Sequence, residues 1–218
     1  MKCAESTLRL YAVTDRAWTG NRTLAEQVED ALRGGATCVQ LREKQMERAA
    51  FLAEAREICA LCRRYGVPFL VNDNLDIALA CGADGVHLGQ DDMTIAEARR
   101  RAGEAFLIGA TAHTVEEAVE AEREGADYLG CGAVFGSATK TDASAMTFET
   151  LQSICRAVSI PVVAIGGVTL QILPLLAGSG AAGVAVVFAL FAAPDICEAA
   201  KALRAASEEM ARGSAQPG

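Results

Sequence analysis

Aromatic residues make up only 5% of this 218-residue chain, with one Trp, three Tyr and seven Phe, although hydrophobic residues account for 51%. A core drawn from that composition must be Ala, Val, Leu and Ile, which suits parallel strands buried under helices. Positive charge is short as well: Lys+Arg 20 against Asp+Glu 28 gives −8. No basic stripe appears, so nucleic acid is not an expected partner, whereas small anions remain compatible because local charge can oppose the net sign. No apolar run of 18 residues occurs, and the opening "MKCAESTLRL" lacks the character of a signal peptide. No membrane partner is therefore expected, and the expected location is the cytoplasm. Histidine is limited to His87 and His113, which bears on the eight cysteines. Cys59 and Cys62 form one CxxC inside the helical-looking "EAREICALCRRYG", but there is no second ligand pair for a metal. The thiols read as small core residues in a reducing compartment.

What the chain does have is a recurring beat. "GGATCVQL", "CGADGVHL", "EGADYLGC" and "SGAAGVAV" each place Gly-Ala before a short apolar run, at Gly35, Gly82, Gly125 and Gly180, with spacings of 47, 43 and 55 residues. A helix closed by glycine and followed by a buried strand explains the beat, and each interval holds two βα units. The intervening strands are "LRLYAVTD", "VPFLVND", "AFLIGATA" and "IPVVAIGG". Amphipathic segments such as "TLAEQVEDALRGG", "TIAEARRRAG", "TVEEAVEAEREG" and "FETLQSICRAV" fill the gaps. Eight strands alternating with eight helices, without a linker, predict an α/β fold: a single-domain (β/α)8 TIM barrel over residues 1–218, with a frayed tail from about 212. A doubly wound sheet is the alternative.

In such barrels the chemistry gathers where strands end. The second strand ends in "QLREK", the third in "NDN", the fourth in "HLGQDD" and the fifth in "TAHT". The sixth runs into "CGAVFGSATKTDA", the seventh ends in "IGG" and the eighth in "VVF". Arg42, Glu43 and Lys44 form either a solvated charge cluster or part of a site. Asp73 and Asp92 read either as helix caps or as ligands of a hard cation such as Mg²⁺. His87 is either a satisfied barrel histidine or a functional one. Gly166 and Gly167 make a tight turn that can also present N–H groups to a phosphate. Arg42, Lys44 and Lys140 facing Asp73 and Asp92 read as a diphosphate clamp, and "GSAT" with "IGG" reads as a monophosphate cup. Two phosphate sites imply two phosphorylated small-molecule substrates. No activated nucleophile stands out.

Taken together, "QLREK", "VND", "HLGQDD", "AHT", "FGSATK" and "AIGG" resemble the thiamine phosphate synthase family in order and approximate spacing, over nearly the whole chain. The resemblance implies condensation of 4-amino-2-methyl-5-(diphosphooxymethyl)pyrimidine with 4-methyl-5-(2-phosphooxyethyl)thiazole, giving thiamine phosphate and pyrophosphate. It assigns the pyrimidine diphosphate to Gln40, Leu41, Arg42, Glu43, Lys44, Asn72, Thr111 and Lys140, with Arg42, Lys44 and Lys140 in the catalytic role. It assigns Mg²⁺ to Asp73 and Asp92. The thiazole phosphate falls to Ser137, Ala138, Thr139, Gly167 and the backbone at Val187 and Phe188. It also implies a dissociative course, in which pyrophosphate leaves before the thiazole nitrogen attacks. Ala133, Gly136 and Ser137 depart from the family's usual Pro, Pro and Thr, and Phe188 stands where serine is usual. Main-chain groups are expected to hold the phosphate at Phe188, with the ring turned aside against apolar neighbours. The rival readings are a related thiazole tautomerase, a barrel that binds thiazole phosphate without turnover, and a phosphate-binding isomerase. Assembly into a homo-oligomer is left open.

Overall fold

A computed structural model describes residues 3–134 and 146–214. Eight parallel strands close into a barrel in chain order: β1 (Leu10–Val13), β2 (Cys38–Leu41), β3 (Phe69–Asn72), β4 (Gly85–Leu88), β5 (Leu107–Ala112), β6 (Tyr128–Cys131), β7 (Val162–Ile165) and β8 (Gly183–Val186). β1 pairs with both β2 and β8, so the sheet has no free edge. The doubly wound alternative is thereby excluded.

Alternation along these short strands divides the core in two. Tyr11, Val13, Cys38, Leu70, Leu107, Tyr128, Val163 and Ala185 fill the barrel interior. Their neighbours, among them Leu10, Val39, Leu41, Phe69, Val86, Ile108 and Leu129, point outward beneath the helices. Leu41 therefore faces away from the mouth, and any part it takes in a site is through its backbone.

The helices are α1 (Leu24–Arg33), α2 (Arg48–Tyr65), α3 (Leu75–Cys81), α4 (Ile95–Ala102), α5 (Val115–Arg123), α6 (Phe148–Ala157), α7 (Phe188–Phe191) and α8 (Ile196–Ser214). Hydroxyl and amide caps start five of them: Thr23, Asn74, Thr94, Thr114 and Thr147 each accept a backbone N–H of the first turn. The Gly-Ala beat has a conformational origin. Gly35, Gly82, Gly125 and Gly180 have φ of +100°, +73°, +101° and +90°, a region costly for other residues, and the alanine that follows each is buried.

The helices are spaced less regularly than the sequence suggests. Among the described residues, β7 and β8 are joined by a 3-10 turn, Leu173–Leu176, and two helices follow β8. Pro174 lies in the first turn of that segment, a position that proline tolerates in helices.

At the N-terminal end of the barrel, Arg99 of α4 ties three elements together. Nη1 donates to the carbonyls of Gly103 (2.9 Å) and Phe106 (2.6 Å), and Nη2 to the Gly125 carbonyl (2.7 Å) and the Asp127 carboxylate (2.6 Å). Asp127 also accepts the Ile108 N–H at 2.8 Å. Both side chains are largely buried, so removing one leaves the other's charge and several carbonyls unpaired. Arg99→Ala is expected to cost about 3 kcal/mol in urea unfolding, with little change in kcat, because the residue lies at the end opposite the mouth. A loss under about 1 kcal/mol would place Arg99 among ordinary surface pairs instead.

Candidate active site

The C-terminal mouth is organised around Asp73 and Asp92. The two carboxylates lie close enough to act on one another directly. Burial and the neighbouring Asp92 push Asp73 up to about 6, against the opposing pull of Lys44 and Arg42. Neither acid caps a helix, so the capping reading of these two residues does not hold. Asn74 caps α3 by accepting the Ile77 N–H at 3.0 Å, and Thr94 caps α4 by accepting the Glu97 N–H at 3.3 Å. Asp73 instead takes a left-handed backbone, φ +62°, and its N–H donates to the His87 carbonyl at 2.8 Å. Asp92 Oδ2 accepts the Gly89 N–H at 2.7 Å. A left-handed aspartate is tolerated but unfavourable, so the turn aims the carboxylate at some energetic cost.

The basic residues follow from β2. Buried Thr14, just after β1, donates its N–H to the Gln40 carbonyl at 3.0 Å and accepts the Arg42 N–H on Oγ1 at 3.0 Å. It fixes the backbone that carries Arg42 and Lys44, whose positive charges act on Asp73 through space. Glu43 is engaged elsewhere: Arg16 Nε and Nη2 donate to its Oε1 at 3.0 and 2.8 Å, and the same guanidinium also reaches Glu54. The Glu43 carboxylate thus joins the first two βα loops, leaving its backbone as the part that can face a diphosphate.

Below the mouth lies a polar relay that sequence reasoning reached only at its ends and at His87. Gln40 Nε2 donates to Tyr11 Oη at 2.6 Å, and Tyr11 Oη is 2.8 Å from Tyr128 Oη. Tyr128 Oη lies 2.9 Å from His87 Nδ1, and His87 Nε2 lies 3.1 Å from Thr111 Oγ1. Five strands contribute one residue each. Two glycines make room: a Cβ on Gly109 would stand 2.1 Å from the Tyr128 ring, and one on Gly130 would stand 3.0 Å from His87 Cε1. Burial drives His87 down to about 4 and holds both phenols well above their ordinary value, so all three are neutral near pH 7. The available signal was that two of only three tyrosines occupy inward strand positions in a chain poor in aromatics.

Further round the mouth, the Gln90 amide donates to the Thr111 carbonyl, linking the loop after β4 to β5. Exposed His113 serves the start of α5, where its N–H donates to Glu117 at 2.7 Å. Gly166 and Gly167 both have positive φ, +88° and +70°. A Cβ on Gly166 would stand 2.5 Å from Ala133 Cβ, so the turn after β7 packs directly on the strand-six loop. Ser137, Ala138, Thr139 and Lys140, with Gly136, lie outside the described residues. Val187 packs partly into the barrel interior, but the Phe188 ring is not turned into a core. It is 58% exposed and meets Trp18 edge-on at 5.1 Å. Phe188→Ser therefore leaves no large cavity.

A closed (β/α)8 barrel whose mouth gathers paired carboxylates and two cations belongs to the barrels equipped to handle anionic substrates. Comparison with known proteins is more specific. Residues 10–190 match the family model described as thiamine monophosphate synthase. A thiamine-phosphate synthase of Chloroflexus aurantiacus is 48% identical over 198 residues, covering 90% of this chain and 91% of that protein. One from Ruminiclostridium cellulolyticum is 46% identical over 194 residues, covering 89% and 92%. The solved thiamine phosphate pyrophosphorylase of Pyrococcus furiosus superposes with a TM-score of 0.88 at 40% identity, covering 94% of this chain and 98% of that one. The chain belongs to the thiamine monophosphate synthase family. It is a transferase that makes thiamine phosphate.

The paired carboxylates carry a stability consequence. In metal-free protein, Asp73→Asn removes a like-charge contact and places at φ +62° a residue at least as tolerant of that backbone. Because the folded protein holds the Asp73 proton up to about pH 6, the penalty is absent at low pH and grows as pH rises from about 3.8 to about 6. Melting in EDTA is expected to show the Asp73→Asn variant more stable than the native protein at pH 7.5 by on the order of 1 kcal/mol, after allowing for partial solvent screening, and no advantage at pH 3.5. An unchanged or lower melting temperature at pH 7.5 would show that the carboxylates do not strain one another.

Proposed function

We propose that the mouth binds the aminopyrimidine methyl diphosphate on Gln40, Arg42, Lys44, Asn72, Thr111 and Lys140, with backbone contributions from Leu41 and Glu43. The thiazole phosphate is assigned to Ser137, Ala138, Thr139, Gly167 and the main chain at Val187 and Phe188. The observation that carries this reading is the contact between the Asp73 and Asp92 carboxylates beside Arg42 and Lys44.

That donor set fits Mg²⁺. The ligands are hard oxygens, and among the described residues no third His, Cys, Asp or Glu joins them to complete a protein cage. Magnesium is typically held by one or two carboxylates together with substrate phosphates and water. Asp73 and Asp92 would hold the ion, which when bound supplies Lewis-acid neutralisation of diphosphate charge.

The protein's own part is positional and electrostatic. The electron-rich aminopyrimidine can expel pyrophosphate and carry the resulting positive charge, so its C–O bond breaks before the new bond forms. Arg42, Lys44 and Lys140 stabilise the charge that builds on the departing diphosphate, where preorganised cations count most. Gln40 and Asn72 hold the pyrimidine, and the phosphate cup brings the thiazole nitrogen within reach of the exposed carbon. That nitrogen supplies the electron pair for the new C–N bond, so no protein base is required. His87 and the two tyrosines, neutral and sealed from water, are unsuited to act as bases. The reaction is assigned to the cytoplasm and to one barrel domain. Among the described residues no helix is long and apolar enough to cross a membrane.

Pyrophosphate release with both substrates, with and without Mg²⁺, tests the reading. The native protein should release one pyrophosphate per thiamine phosphate only when the metal is present. Asp92→Ala should lower kcat at least about 100-fold while the circular dichroism spectrum is kept. Binding of thiazole phosphate without pyrophosphate release would mark a non-catalytic barrel. Full turnover in EDTA would remove the metal from the scheme.

A further inference from the structure

The relay beneath the mouth has a direction, and its direction follows from counting protons. Tyr11, Tyr128, a neutral His87 and Thr111 each carry one proton that can be shared, and three links join them at 2.8, 2.9 and 3.1 Å. Three links use three protons. One is left over, and it must point out of one end. At the Tyr11 end the oxygen already accepts the Gln40 amide at 2.6 Å. The other polar neighbour there is Cys38, whose sulfur is a weak acceptor compared with a phenol oxygen. The Tyr11 proton therefore goes to Tyr128, the Tyr128 proton to His87 Nδ1, and the His87 proton, on Nε2, to Thr111 Oγ1. Among the described residues no other group accepts the Thr111 proton, and Thr111 is only half-buried at the strand end. The surplus proton is presented to the mouth.

We propose that the relay Gln40–Tyr11–Tyr128–His87–Thr111 fixes Thr111 as a hydrogen-bond donor toward the diphosphate, with Tyr11, Tyr128 and His87 as positioning residues. This rests on the diphosphate assignment made above. A free threonine hydroxyl can donate or accept; one that already accepts from His87 turns its own proton outward. A departing anion needs a donor, and one set before the anion forms costs no reorganisation when it leaves. The two ends of the relay are also the two residues assigned to the same substrate. Gln40 at the pyrimidine and Thr111 at the diphosphate are thus connected through the barrel rather than along its rim.

Two measurements test the proposal. In ¹⁵N spectra of imidazole-labelled, substrate-free protein, His87 should show a pyrrole-type Nε2 and a pyridine-type Nδ1. The opposite tautomer would overturn the proposal, and this readout does not depend on which substrate binds. The second is a double-mutant cycle on kcat with Tyr128→Phe, which keeps the ring that packs on Gly109, and Thr111→Val, which keeps the shape. Thr111→Val should lower kcat about 100-fold, and Tyr128→Phe about tenfold in the native background, with KM for the pyrimidine diphosphate changed less. In the Thr111→Val background, Tyr128→Phe should cost less than about twofold, because the hydroxyl it orients is gone. Equal losses in both backgrounds would show that Tyr128 acts on structure alone. Thr111→Ser, which keeps the donor, should retain most of the activity. If the tautomer is as stated but Thr111→Val leaves kcat unchanged, the diphosphate lies elsewhere and the assignment fails while the relay stands.

Discussion

Two carboxylates held in contact repel each other unless a proton or a cation lies between them. Asp73 and Asp92 are held that way by the backbone rather than by chance approach. Asp73 is fixed in a left-handed turn whose N–H donates to the His87 carbonyl, and Asp92 is braced by the Gly89 N–H. The ordinary task for an acid at a strand-to-helix junction is to cap the helix, and here Asn74 and Thr94 perform it. Both acids are thereby left with their charge unspent, beside Arg42 and Lys44. Much of the surrounding architecture supports this placement. Thr14 fixes the strand end that carries the cations, and the Arg16–Glu43–Glu54 group secures the loops beside it.

The barrel supplies the rigidity. Strands of four to six residues, closed without an edge, leave an interior only wide enough for side chains. Aliphatic residues fill most of it. The polar relay is accommodated because Gly109 and Gly130 give up their side-chain volume to Tyr128 and His87. Each relay member is satisfied by another, which avoids the cost of a buried unpaired group. The site therefore rests on a polar layer that cannot shift without breaking several bonds together.

Much of this was legible in the sequence. The Gly-Ala beat marked the helix-to-strand turns because each needs a positive φ, and the polar residues at the ends of successive strands marked the mouth. Asp73 and Asp92 were visible as paired acids, but their release from capping was not, since Asn74 and Thr94 compete for that role only in three dimensions. For Leu41 and Glu43 the sequence did not show which part of the residue is available; strand alternation turns the Leu41 side chain outward and Arg16 engages that of Glu43. The irregular β7–β8 connection was masked by the regular spacing of the units around it. The relay was the hardest part to see. Its bonds join residues separated by 24 to 117 positions, and nothing local to Tyr11 or Tyr128 announces a polar partner.

The central claim is that Asp73 and Asp92 hold a cation that shares the diphosphate with Arg42 and Lys44. Crystals grown with Mn²⁺ in place of Mg²⁺ and with inorganic pyrophosphate test it by anomalous diffraction. The account predicts one strong peak between the two carboxylates, with pyrophosphate oxygens on the ion and on both basic side chains. Pyrophosphate seated on Arg42 and Lys44 with no ion between the acids, or a peak elsewhere in the mouth, would contradict it.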